Sequence, residues 1–186
     1  MNLFIDTLSE VNVLILFDNN KQIINKYDFD VKMNESTKLI PEIDNFLKLN
    51  LLTYNDLDNI VVVNWPWSFT WIRTLVILVN TINFVIKKSI TPITFFELYD
   101  NYPIFKRSSK KDSFLKLSQN SEIEIILNDE LEYKLLKDNL LNLNWCSDFA
   151  NFNVNKSPNY QKVLDKLVLQ DNKLIEPFYL KKPNIF

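Results

Sequence analysis

The chain has 186 residues, 47% of them hydrophobic and 13% aromatic, which is enough to bury the core of one domain or two small lobes. Its net charge is −2 with both signs interspersed, so it lacks the basic face that direct nucleic-acid binding by electrostatics requires. It has no histidine, one cysteine (Cys146) and no glycine, which removes disulfide frameworks, His/Cys metal sites, Walker-type loops and dinucleotide loops from consideration.

Asn2 to Thr7 reads as a first strand and Val11 to Asp18 as a second, joined by Leu8-Ser9-Glu10. Asp18-Asn19-Asn20-Lys21 is a turn cluster, and Gln22 to Tyr27 gives a third strand, so a three-stranded antiparallel meander is expected. A helix follows from Ser36 to Leu49, with Leu39, Ile40, Ile43, Phe46 and Leu47 on one face. Pro41 falls inside this window and suggests a later start, with proline in the first turn. Asn59 to Asn64 is β-branched at its centre and reads as a strand buried on both faces.

Phe69 to Lys87 reads as a second helix, with Phe69, Ile72, Val76, Val79, Ile82 and Ile86 along one stripe and further apolar residues off it. Its most hydrophobic part, Leu75 to Ile86, is interrupted by Asn80 and Asn83 and is too short to span a bilayer. With no signal-peptide pattern at the N-terminus, the expected location is the cytoplasm. Ile90 to Thr94 is a fifth strand, and Phe95 to Tyr99 a short helix. Lys106 to Asp112 has the character of a surface loop. Ser113 to Leu117 and Glu122 to Leu127 read as strands, Glu130 to Asp138 and Pro158 to Leu169 as helices, and Glu176 to Pro183 as an extended tail. A lobe boundary is expected near Asp100, giving lobes 1–100 and 101–186. The order β-β-β-α-β-α-β resembles one lobe of the actin-like, Hsp70-like ATPase fold, a ribonuclease H-like α/β architecture.

Two places could carry chemistry. Asp6 and Thr7 end the first strand, where an ATPase of that fold has an Asp followed by glycine and a hydroxyl residue that wrap phosphate. Here Leu8, Ser9 and Glu10 follow, and Glu10 repels phosphate, so a degenerate turn with Asp6, Thr7 and Ser9 as local caps is the simpler reading. The second place is the run Trp65-Pro66-Trp67-Ser68-Phe69-Thr70-Trp71-Ile72-Arg73, between a strand and a helix. Ser68 suits a helix N-cap. Arg73 lies near the first helical turn, where the dipole disfavours a cation, which points to an anionic partner or a carboxylate of the other lobe. Cys146 without a histidine base reads as an apolar filler.

Average usage puts about 7% glycine, or roughly 13 residues, in a chain of this length. Read with glycine at each tryptophan, the run becomes G-P-G-S-F-T-G-I-R. That string resembles the hallmark loop of the TsaB family, which serves the synthesis of threonylcarbamoyladenosine in bacterial tRNA. The hypothesis that follows is recoding: UGA codons that mean glycine in the source organism, translated as tryptophan at 65, 67, 71 and 145. A genuine aromatic loop that anchors a partner is the alternative. Leu3-Phe4-Ile5-Asp6-Thr7 is similar to the family's opening, Asn34 to Pro41 to its N-H-S-x-x-L-L-P helix (with Glu35 at the histidine), Tyr54 to Ile60 to its D-L-D-x-I segment, and Pro177 to Pro183 to its P-x-Y-L-R-x-P close.

The resemblance implies a non-catalytic scaffold without a metal, a degenerate relative of the transferase subunit TsaD. It implies docking on TsaD through the helices at 36–49 and 69–87, with Leu39, Ile40, Ile43, Phe46, Leu47, Ile72, Val76 and Val79 as interface residues. The ATPase TsaE joins the larger complex, and tRNA is met only through that complex. No cofactor is implied for the chain itself, with ATP or ADP at the partner interface left open. A small ATPase or kinase-like enzyme and a homodimeric interaction protein are the other classes compatible with the residues.

Overall fold

The computed structural model describes residues 1–31, 34–65, 69–137, 142–144, 153–155 and 157–177. They form two compact units, Met1–Phe95 with Tyr160–Phe186, and Phe96–Asn159. The first holds β1 (Asn2–Asp6), β2 (Asn12–Phe17), β3 (Ile23–Phe29), α1 (Glu35–Leu49), β4 (Asn59–Trp65), α2 (Phe69–Ile86), β5 (Ser89–Thr94) and α4 (Tyr160–Lys166). The second holds β6 (Ile104–Arg107), β7 (Asp112–Lys116), β8 (Ile123–Leu127), α3 (Asn128–Lys137), β9 (Asn142–Asn144) and β10 (Asn153–Asn155).

The first sheet runs β3-β2-β1-β4-β5. The meander is antiparallel, and β4 and β5 join it in parallel through the crossover helices. Strand alternation sorts its residues onto two faces. Tyr27, Leu14, Ile5 and Val62 are register partners on one face, and Tyr27 stacks on Phe46 of α1 at 5.8 Å. Lys26, Ile15, Phe4 and Val61 are register partners on the other, where Tyr160 of α4 meets Phe4 edge-on at 5.7 Å. Helices therefore cover both faces, which is why β1, β2 and β4 are buried along their whole lengths. The C-terminal helix, expected with the second lobe, belongs to this first unit.

After α4 the chain runs extended along the open side of β5. Ile90 donates its amide to the Asn172 carbonyl (2.8 Å), and Gln170 donates to the Thr91 hydroxyl (2.9 Å). Asn80 exchanges two bonds with the Ile175 backbone, and Asn83 donates to the Lys173 carbonyl at 2.8 Å. The two asparagines that interrupt an apolar helix thus hold the tail through its backbone.

Without glycine, left-handed backbone positions fall to other residues. Lys21 in the β2–β3 turn, Leu51 after α1 and Lys87 after α2 have φ of 65°, 57° and 57°. Leu51 closes a Schellman motif: its amide bonds the Lys48 carbonyl and the Leu52 amide bonds that of Leu47. A side chain there costs about 1 kcal/mol relative to glycine, and the Leu51 side chain is 94% exposed, so it contributes no packing. Leu51→Gly is expected to raise stability by about 0.5–1 kcal/mol in urea denaturation; an unchanged or lower midpoint contradicts this.

Three local expectations are corrected. Pro41 lies inside α1, which begins at Glu35; its ring faces solvent, where the missing backbone donor is tolerated. Lys106, expected on a surface loop, sits in β6 and is fully buried. The register that pairs it with Phe114 places it mid-sheet, where local polarity gave no hint of a strand. The helix expected from Pro158 to Leu169 spans only Tyr160–Lys166, and the chain then runs extended to 176, where its backbone groups are taken by β5 and α2.

Candidate functional site

The first turn is closed on itself. Asp6 is fully buried, and one carboxylate oxygen accepts the amides of Leu8 (2.8 Å) and Ser9 (3.0 Å). The other accepts the Ser9 hydroxyl (2.5 Å) and the Tyr160 hydroxyl (2.8 Å), a residue 154 positions away. The Lys26 ammonium lies 5.6 Å above the Tyr160 ring. The Asp6 oxygens are thus saturated by the protein's own donors, and the amides that would face phosphate turn inward. The buried Thr7 hydroxyl makes no hydrogen bond, an unsatisfied group beside this network. Sequence reasoning grouped Asp6, Thr7 and Ser9 but missed Tyr160, whose helical position marked it only as apolar.

The tryptophan run falls into three parts. Trp65 is the last residue of β4 rather than part of a loop; it is buried and pairs with Thr94 after a register shift. Pro66, Trp67 and Ser68 lie outside the described residues, as do Trp145, Cys146 and the tail beyond Pro177. Phe69 and Thr70 open α2, Trp71 is buried, and Arg73 is exposed.

The expected interface residues prove mostly internal. Leu39, Ile43, Phe46, Leu47, Ile72, Val76 and Val79 are buried, so they hold α1 and α2 onto the sheet and cannot meet a partner; of that set only Ile40 is exposed. The outward stripe of α2 is Arg73, Ile77, Thr81, Phe84 and Val85, at i, i+4, i+8, i+11 and i+12. Ile77, Phe84 and Val85 are 63%, 71% and 74% exposed. Thr81 turns its hydroxyl back onto the Ile77 carbonyl at 2.8 Å, leaving its methyl to the stripe. The Lys87 ammonium sits 4.0 Å from the Phe84 ring centroid. α2 carries no acidic residue; Arg73 lies near its start, and Lys87 and Lys88 follow its last residue. Apolar residues on every side of this helix hid which side faces out.

α1 is tied by two phenols, Tyr27 of β3 and Tyr54 in the turn that follows the helix. Tyr27 donates to Glu42 (3.0 Å), and this bond, aided by burial, raises the phenol above its ordinary range. Tyr54 donates to Asp44 (2.6 Å), and burial followed by that bond raises it further. Both are structural ties. Among the described residues no group of three or more His, Cys, Asp or Glu side chains could hold a metal, and no helix is long and apolar enough to cross a membrane.

No family model matches the chain, and no curated protein does. Solved structures do. An uncharacterised protein with similarity to the peptidase YeaZ, from Pseudomonas aeruginosa, superposes with a TM-score of 0.70 at 10% identity, over 97% of this chain and 99% of its own. YeaZ from Pseudomonas aeruginosa superposes with a TM-score of 0.54 at 13% identity, over 67% of this chain and 63% of its own. At such identities the likeness is one of fold: the chain has the mixed α/β architecture of these YeaZ-like structures.

Proposed function

We propose that this chain is a TsaB-type scaffold, a non-catalytic subunit that docks and supports TsaD in the assembly that installs threonylcarbamoyl on tRNA adenosine. The observation that carries the reading is the apolar outward stripe of α2, on a fold shared with YeaZ, the protein otherwise called TsaB. A solvated helix face with Ile77, Phe84 and Val85 so exposed is an interaction surface by its chemistry. The first turn supports a binding role over catalysis, because Asp6 is committed to internal donors. TsaE and tRNA join through TsaD in this reading, in the cytoplasm, and any ATP or ADP sits at the partner interface.

The recoding hypothesis belongs to the same proposal: glycine in the native protein at Trp65, Trp67 and Trp71. The test is co-elution with the cognate TsaD by size exclusion with light scattering, using the chain as written and a Trp65→Gly, Trp67→Gly, Trp71→Gly version. The glycine version is expected to form the complex and the chain as written to bind more weakly. Thermal melts separate the two ideas. Trp65 and Trp71 fill core space, so a protein that evolved with them loses about 3–5 kcal/mol per truncation, whereas one that evolved with glycine loses far less. Failure of both versions to bind TsaD overturns the scaffold assignment.

A further inference from the structure

We infer that residues 168–176 form an exchangeable strap, a segment bound in cis in a groove between β5 and α2 that recognises extended peptide backbone and one aliphatic side chain. The groove is lined by Asn59, Asn64, Asn80, Asn83, Thr91 and the Ile90 backbone, and it meets the main chain of the strap. Asn59 donates to the Gln170 carbonyl at 3.0 Å, Asn83 to that of Lys173 at 2.8 Å and Asn64 to that of Glu176 at 3.5 Å. Asn80 both donates to and accepts from the Ile175 backbone, Thr91 accepts the Gln170 amide, and Ile90 donates to the Asn172 carbonyl. Asn59, Asn64, Asn83 and Thr91 are buried, so they are polar groups held inside the molecule that pair with a peptide. Bonds to main chain give affinity without reading sequence, and pockets for side chains give specificity. Of residues 168–176, Ile175 alone is buried, while Val168 and Leu174 are 76% and 67% exposed. Asp171 and Lys173 pair with each other at the surface, with Ser89 and the Lys88 carbonyl as outer contacts.

The strap and the helix before it are held differently. α4 is seated by the buried Tyr160, Val163 and Leu164 and by the Tyr160 bond to Asp6. The strap has one apolar anchor and a series of neutral hydrogen bonds, each of small net worth. Opening beyond Leu167 therefore leaves α4 in place, and it is a local event of lower free energy than global unfolding. The opened groove offers the same amides, the free edge of β5 and the Ile175 pocket to another extended segment with an aliphatic residue at that place. The strap does not exhaust the groove, since the buried Asn59 Oδ1 has no hydrogen-bond partner among the described residues. The inference uses Asn80 and Asn83, at the border of α2, and leaves Ile77, Phe84 and Val85 untouched, so it stands apart from the scaffold reading.

The test joins hydrogen exchange on the full chain with binding of a fluorescent peptide that carries residues 168–177. The amides of Ile90, Gln170 and Ile175 have their acceptors across the groove. They are expected to exchange with one shared opening free energy, below that of the β1 and β4 amides. Wild type is expected to bind the peptide weakly, because its own strap competes. Ile175→Asp weakens the strap and leaves the groove intact, so it is expected to bind the wild-type peptide about 10-fold or more tighter. A peptide with its other side chains shuffled around a fixed isoleucine is expected to bind equally well, and one with Asp in place of that isoleucine is not. Exchange of the three amides only through global unfolding overturns the inference, and this reading needs no variant to fold. A folded Ile175→Asp protein that takes up no peptide overturns it too, as does loss of binding on shuffling.

Discussion

Asp6→Ala lowers the unfolding free energy by roughly 3–5 kcal/mol, the largest effect expected from any single substitution in the first turn. The substitution removes the acceptor of two backbone amides and two hydroxyls at a fully buried position. Each donor left unpaired costs about 1–3 kcal/mol, partly recovered where water enters the space vacated by the carboxylate. Against a typical total of about 5–15 kcal/mol this is enough to unfold a marginal domain. Tyr160→Phe is the milder probe. It keeps the ring against Phe4 and under Lys26, loses one bond to the carboxylate, and is expected to cost about 1.5–3 kcal/mol. Urea denaturation of both variants and of the double variant checks the network, because residues in one hydrogen-bond network are non-additive. An Asp6→Ala protein within 1 kcal/mol of wild type, on the ~1 kcal/mol scale of a single net bond, shows that the turn is not the lock described, and reopens it as a ligand site.

If the proposed scaffold role holds, Phe84→Glu and Ile77→Glu are each expected to weaken binding to TsaD by about 30-fold or more, the scale of a hot-spot loss near 2 kcal/mol. Both side chains point into solvent, so neither variant is expected to move the stability of the free protein by more than about 0.5 kcal/mol. That contrast separates interface from core. Val76→Glu, by comparison, places a carboxylate among buried residues and is expected to unfold the protein before any binding can be read. Titration calorimetry with TsaD, alongside a melt of each variant, gives both quantities. Binding that survives both surface substitutions removes α2 as the docking face. Arg73 near the start of α2 and the lysines that follow it, Lys87 and Lys88, add an expectation about the partner: a surface rich in Asp or Glu beside its apolar contact, with an affinity that falls as salt rises.

The meander, the buried β4, the two crossover helices and β5 were legible because each is a local pattern of period 2 or 3.6. Ile60 to Val63 could only be an internal strand, and Leu39, Ile43 and Phe46 could only form the inner face of a helix. The interface role that the family resemblance implied for Leu39, Ile43 and Phe46 does not agree with their burial. A stripe of apolar residues states that something covers it, and α1 and α2 use theirs on the sheet. The second unit was harder. β6 is four residues long and contains Lys106 and Arg107, so its local polarity reads as loop, and only pairing with β7 makes it a strand.

The sequence by itself determined the order of the elements from β1 to β5, the α/β class and the lack of histidine and glycine, because composition and hydrophobic period are properties of neighbouring residues. Tertiary structure alone decided the rest. It placed Tyr160 on Asp6, turned Asn80 and Asn83 into a clasp for the tail, put Leu51 in a left-handed position and exposed Ile77, Phe84 and Val85 rather than their buried neighbours. Each depends on which groups meet across long stretches of chain. A helix apolar on every side carries no local record of which side the rest of the molecule will cover.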